Sequence, residues 1–193
     1  MIKIIKPGFY STIQDKGREG LQKYGIPQSG SMDIFSSDLA NKILNNPVDS
    51  AVIEVTMLGP VLEFNYSSVI SITGANLSPL LNNKNIPMNK PVFIKSNDVI
   101  SFGGLKNGLR AYIAILGGFK TEKVYGSRSM FKNLTNAFKL SINDVLKFNK
   151  EILFESPKLS FKSGQNIENQ IDVFEGPEYY MLNSDQKKLY SIY

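Results

Sequence analysis

With 193 residues, 42% hydrophobic and 20% charged, the chain has the composition of a soluble globular protein with a sizeable core, not of a disordered one. It contains no histidine and no cysteine. That excludes a disulfide framework, a zinc site of the usual ligands, and any Ser-His or Cys-His nucleophile made by this chain alone. The net charge of +5 comes from lysines scattered along the chain without a basic stripe, which argues against a nucleic-acid partner.

In chain order, IKIIK (2–6) reads as a strand, Pro7-Gly8 as a turn and FYSTI (9–13) as a second strand. The opening MIKIIKPG lacks the form of a signal peptide. A long glycine-rich loop follows, TIQDKGREGLQKYGIPQSGSMD (12–33), whose apolar residues keep neither a strand nor a helix period. A helix is expected near 32–45, with Met32, Phe35, Leu39 and Ile43 on one apolar face, Ser31 or Asp33 as its cap, and Asn46-Pro47 as its end.

From Ala51 the pattern turns to short β-branched segments at 51–58, 61–64, 68–73, 91–95, 99–103 and 109–116. LLNNKNIPM (80–88) forms a hairpin around its asparagines. The longest apolar run, AYIAIL (111–116), is too short for a membrane span, so no membrane partner and a cytoplasmic location are expected. The fold class is mainly β with a few helices, β-barrel-like. Residues 1–155 form the first domain, 156–170 a linker or exposed loop, and 171–193 the start of an incomplete second subdomain.

Against nineteen lysines the chain has three arginines, Arg18, Arg110 and Arg128, each within two residues of a glycine. A guanidinium grips carboxylate or phosphate oxygens with a planar fork, and glycine lets backbone amides approach the same anion. In the long loop, Gln14, Asp15 and Arg18 offer an amide, a carboxylate and a guanidinium. Gln28, Ser29, Ser31 and Asp33 lead into a helix N-terminus. TGAN (73–76), with Thr73 and Gly74, and GGFKTEKVYGSRS (117–129) are candidate anion nests or tight turns, and neither is a standard phosphate-loop motif. Glu54 and Glu63 lie in strands and read as solvent-facing, with an inward-pointing Glu54 as the alternative. No metal site is evident; a metal would have to be a hard ion such as magnesium on carboxylates.

The ordered motifs TIQDKGREGLQKYGIPQSGSMD, LAN, NNP, AVIEVTMLGPVLEF, ITGA, SFGGLKNGLRAYIAILGGF and GSRS resemble the biotin-dependent carboxyltransferase A/B-type family. That family includes the C-type component of 5-oxoprolinase and the allophanate-hydrolase-subunit-2-like proteins. The match runs from about residue 3 to 130 and resumes weakly at IDVFEGPEYYML (171–182). It implies cyclophilin-like subdomains and a hydrolase role in an ATP- and Mg2+-dependent cytoplasmic complex with the A and B components of 5-oxoprolinase, opening 5-oxoproline to glutamate. Under it, Asp15, Asp33 and Arg18 carry catalysis, while Gln14, Ser29, Thr73, Gly74, Arg110 and Arg128 bind substrate or phosphate. The family's second subdomain ends in a TTGGYP-like motif that is not found here, so the chain reads as a C-terminally shortened member. Two other roles in the family imply alternatives: a regulatory module that antagonises a kinase-inhibitor-type B partner, or a carboxyltransferase acting on urea or a related amide. The second needs biotin on a partner, because this chain has no biotin-attachment motif.

Overall fold

Alternation along the strands decides the layering, because the central ones are apolar on one face and polar or small on the other. The computed structural model describes residues 1–149 and 174–190. The chain begins with β1 (Ile2–Lys6), β2 (Tyr10–Gln14), α1 (Ile34–Ile43), β3 (Val52–Thr56), β4 (Val61–Phe64) and β5 (Ser68–Asn76). It continues with β6 (Pro79–Leu81), β7 (Lys84–Asn85), β8 (Pro91–Ile94), β9 (Val99–Phe102), β10 (Asn107–Ile115), β11 (Val145–Leu146) and α2 (Ser184–Tyr190).

The strands pair antiparallel in two sheets, ordered β11-β1-β4-β9-β6-β7 and β2-β3-β10-β5-β8. The mainly-β expectation therefore holds, in the form of two packed sheets. Ile2, Ile4, Leu62, Phe64 and Ile100 of the first sheet share one buried cluster with Ile13, Ile53, Val55, Ile70, Ile72, Ala111 and Ile113 of the second. The alternate residues of the second sheet point the other way. Val52, Val69, Tyr112, Ala114 and Leu116 pack against Ala40, Ile43 and Leu44 at α1, so the second sheet is covered on both faces.

The β6–β7 hairpin turns on Asn82 and Asn83, both with positive φ, as the Asn-rich centre predicts. The helix differs from expectation. Its cap is Asp33, whose side chain accepts from the Ser36 N–H at 2.9 Å, but the buried residues are Ser36, Ser37, Ala40, Asn41 and Ile43. Met32 and Phe35 are 69% and 65% exposed. The reason lies in the sheet beneath, where Ser71 Oγ donates to the Ala40 carbonyl at 2.6 Å and Thr73 Oγ1 to the Ser36 carbonyl at 2.6 Å. A polar sheet face selects a small, polar helix face, and hydrophobic periodicity alone does not see it.

By contacts the chain divides into two units, Met1–Phe161 and Lys162–Tyr193. Within the second, the described residues hold a 3-10 turn at Tyr179–Met181 and then α2. The expected linker at 156–170 lies outside the described residues. Among the described residues, no helix is long and apolar enough to cross a membrane.

Candidate functional site

The long loop closes on itself. Ser31 N–H donates to the Asp15 carbonyl at 3.0 Å, Arg18 N–H to the Gln28 carbonyl at 2.7 Å, and Gly30 N–H to Gln14 Oε1 at 3.2 Å. Gly17 makes this possible: its φ is +86°, and a Cβ there would lie 2.5 Å from the Gln28 carbonyl oxygen.

A second loop, 117–129, is clamped to the first by Asp15 and Arg18. Asp15 Oδ1 accepts from Ser127 Oγ (2.6 Å), Ser129 Oγ (2.7 Å) and Gly17 N–H (2.9 Å), while Oδ2 accepts from Arg128 N–H (2.6 Å). In the other direction, the Arg18 guanidinium donates to the carbonyls of Val124 (3.0 Å) and Ser129 (2.7 Å) and to Ser29 Oγ (3.3 Å). Arg18 is 1% exposed. Desolvation raises the Asp15 carboxyl pKa, but the hydrogen bonds from Ser127, Arg128, Ser129 and Gly17 outweigh it and hold the group below its ordinary value. Burial lowers the Arg18 pKa, and the Asp15 charge opposes that shift. The pair is a charged strut between two loops.

Between these loops and the segment after α1 lies a cleft of about 450 Å³. Glycines 17, 117, 118 and 126 line it beside Lys16, Arg18, Lys120, Lys123 and Arg128, with Asp15, Glu19 and Asp49 as the acidic members. Lys16 pairs with Glu19 at 3.9 Å, and Arg128 Nη1 donates to the Thr121 carbonyl. Tyr125, also in the lining, holds a φ of +51°, which a non-glycine residue adopts rarely. Cations and backbone amides around an open cleft suit an anionic ligand.

The remaining candidates gather elsewhere. Thr12, Glu54, Tyr112 and Thr73 form one cross-strand row on the α1-covered face of the second sheet. Glu54 Oε2 accepts from Met32 N–H at 2.8 Å and from Tyr112 Oη at 3.0 Å, and Tyr112 Oη accepts from Asp33 N–H at 2.8 Å. Arg110 Nε lies 3.3 Å from Glu54 Oε1. Glu54 is thus buried and paired, which corrects the solvent-facing reading; Glu63 is partly exposed. Burial pushes the Tyr112 hydroxyl well above the usual phenol range; the Asp33 N–H works against this and the Glu54 charge adds to it. Tyr112 therefore stays a neutral donor. Gly74, at φ +78°, sits where a Cβ would meet the Arg110 carbonyl oxygen at 2.5 Å, so it serves close sheet packing.

A family model described as "Carboxyltransferase domain, subdomain A and B" matches residues 24–192. The chain belongs to this carboxyltransferase family. It is 39% identical over 159 residues to the urea amidolyase of Lachancea kluyveri, an alignment covering 80% of this chain and 9% of that protein. It is 26% identical over 189 residues to the C-type component of 5-oxoprolinase from Escherichia coli, covering 93% of this chain and 59% of that one. The crystal structure of the K. lactis urea amidolyase superposes with a TM-score of 0.75 at 35% identity, over 83% of this chain and 10% of that one. The carboxyltransferase chain thus spans less than two thirds of each of these relatives.

Of the residues expected to act together, the structure groups Asp15, Arg18 and Arg128 at the cleft, with Ser29 bonded to Arg18. Gln14 bridges the row and the loop: its Nε2 donates to Thr12 Oγ1 at 3.0 Å and its Oε1 accepts from Gly30 N–H. Asp33, Thr73, Gly74 and Arg110 are not in the cleft lining. Sequence reading passed over Tyr112, Ser127, Ser129, Lys120 and Lys123. For Tyr112 a signal existed, since strand alternation puts it on the same face as Arg110. For the two serines none did, because their partner is more than a hundred residues away.

Proposed function

We propose that this carboxyltransferase-family chain is the C-type component of an ATP-dependent 5-oxoprolinase, acting with the A and B components to open 5-oxoproline to glutamate. The observation that carries the reading is the glycine-walled, cation-lined cleft of about 450 Å³ in a chain without histidine or cysteine. A lactam is a poor electrophile, and ATP supplies the activation by phosphorylating the amide oxygen, with ADP leaving; water then adds to the activated carbon, inorganic phosphate departs, and the ring C–N bond breaks to free the amine of glutamate. Such a transfer needs positive groups and amides around phosphoryl oxygens more than it needs a nucleophilic side chain. In this reading Lys120, Lys123 and Arg128 hold the anion. Asp15 and Arg18 hold the two loops, and so the cleft, in shape.

The described residues do not fit a metal ion. No three carboxylates converge among them, Asp15 is saturated by four donors and Asp33 caps α1. The Mg2+ of the reaction is therefore assigned to the nucleotide and the partner components, and biotin plays no part in this reading. The alignment with a 5-oxoprolinase component over 93% of this chain also supports it.

The test is glutamate release from 5-oxoproline and ATP by the A and B components, with and without this chain. Release that depends on the chain is expected. In the same assay, Lys123→Gln with Arg128→Gln raises the KM for ATP about tenfold or more, the scale of one lost charge-assisted contact. A second reading, transfer of a carboxyl group from a partner's carboxybiotin to urea or a related amide, is favoured by the higher identity to urea amidolyase. Chain-dependent carboxylation of urea without glutamate release would select it.

A further inference from the structure

Tyr125 is the exposed aromatic residue of the cleft lining, and anion binding leaves it without a task. Its backbone conformation is one that its residue type disfavours. Val124 and Ser127 face each other in an antiparallel bridge, with Val124 N–H donating to the Ser127 carbonyl at 2.9 Å and Ser127 N–H to the Val124 carbonyl at 3.3 Å. Tyr125 and Gly126 are therefore the two central residues of a tight turn, with φ of +51° and +83°. A turn that needs positive φ at both places favours Asn, Asp or Gly at the first. Backbone preference alone does not select a tyrosine there.

The buried strut holds this turn from both sides. Arg18 Nε donates to the Val124 carbonyl at 3.0 Å, and Asp15 accepts from Ser127 Oγ and from Arg128 N–H, each at 2.6 Å. The tyrosine at the tip is left 61% exposed at the cleft. Among the described residues none bonds its hydroxyl and none stacks on its ring. Strain held on a fixed support, with the side chain free to receive something, is found at ligand clamps.

The surroundings narrow the ligand. Lys120, Lys123 and Arg128 share the lining with Tyr125. Inorganic phosphate would use the cations and leave the ring bare, and an uncharged ring compound would do the reverse. A nucleoside triphosphate uses both, because its phosphates seek cations and its base presents a planar π-face that stacks on an aromatic side chain. The volume of about 450 Å³ is within the range of small-ligand sites.

We propose that Tyr125 is the base-stacking residue of a nucleotide site. The turn at 124–127 presents its ring to the base of a nucleoside triphosphate whose phosphates lie among Lys120, Lys123 and Arg128. The phosphate half of this assignment rests on the function proposed above; the stacking half rests on the turn.

The test uses the whole chain, titrated by calorimetry with ATP and with inorganic tripolyphosphate (the phosphates without the nucleoside), both in excess Mg2+. ATP is expected to bind about fivefold or more tightly than tripolyphosphate, the scale of one stacked base. Its adenine H2 and H8 resonances move upfield on binding, the ring-current mark of stacking. Tyr125→Phe keeps both effects. Tyr125→Asn suits the turn better and raises Tm, yet it weakens ATP binding about fivefold or more, leaves tripolyphosphate binding unchanged and removes the upfield shift. Equal affinity for the two ligands in the parent chain overturns the proposal, as does no ATP binding or ATP binding unchanged in Tyr125→Asn. A loss in Tyr125→Asn shared equally by both ligands shows a structural role and overturns it too. Glutamate release is scored separately. Stacked ATP without chain-dependent release rejects the 5-oxoprolinase reading and leaves this site standing; chain-dependent release with ATP binding unchanged in Tyr125→Asn does the opposite.

Discussion

Asp15 and Arg18 lie three positions apart and feel each other's charge, yet no ion pair is formed between them. Each is bonded to the loop around 124–129, the carboxylate to its hydroxyls and an amide, the guanidinium to its carbonyls. The residue types were legible as chemistry in a glycine-rich loop. That their donors and acceptors are satisfied within the protein was not, because Ser127, Ser129 and Val124 are remote in sequence. A pH signature follows. The folded-state pKa of Asp15 is below its unfolded value, so its stabilisation is present at neutral pH and is lost as pH falls through the folded value. Asp15→Asn places an amide against several N–H and O–H donors and should cost about 2 kcal/mol at pH 7. In thermal melts the gap to the parent protein is therefore largest at neutral pH and narrows below about pH 4. A gap independent of pH would show that the charge does not matter.

At the scale of elements, α1 shows where a periodic pattern misleads. Met32, Phe35, Leu39 and Ile43 have helical spacing, but the sheet offers Ser71 and Thr73, and the helix answers with Ser36, Ala40 and Asn41. Its end is anchored as Asn46-Pro47 suggests, by means the sequence conceals. Asn46 Nδ2 donates to Asn41 Oδ1 (3.1 Å) and to the Ile115 carbonyl (2.8 Å), and its Oδ1 accepts from Gly117 N–H (2.8 Å). One buried amide therefore joins α1, β10 and the first glycine of the cleft. Asn46→Ala should lose about 2–3 kcal/mol, whereas Met32→Ser, on the exposed side, should stay within about 0.5 kcal/mol. Denaturant titration of both variants checks the contrast, and equal losses would restore the apolar-face reading.

Over the whole molecule, one apolar cluster joins the two sheets, while the second sheet turns its other face to α1. The candidate site lies outside that cluster, in a cleft built on loops beyond the strands. Rigid sheets carrying loops at their ends are a common way to hold a site without making the core polar. Phe64, fully buried in the shared cluster, is the residue to truncate. Phe64→Ala should cost about 3–5 kcal/mol, lowering Tm by roughly 10 °C, with near- and far-ultraviolet circular dichroism changing together if the sheets unfold as one. Two separate transitions would mean that the sheets do not share a core.

Local chemistry was enough to place most strands, the Asn82-Asn83 turn and the glycine-rich loops and to narrow the helix cap to Ser31 or Asp33, because backbone preference and alternation act within a few residues. The absence of histidine and cysteine likewise bounded the chemistry before any fold was known. Tertiary structure alone decided which arginine lines the cleft, which is buried as a strut and which stands beside Glu54. Those choices depend on strand register and on loops that meet across more than a hundred residues, and no local preference encodes a meeting at that distance.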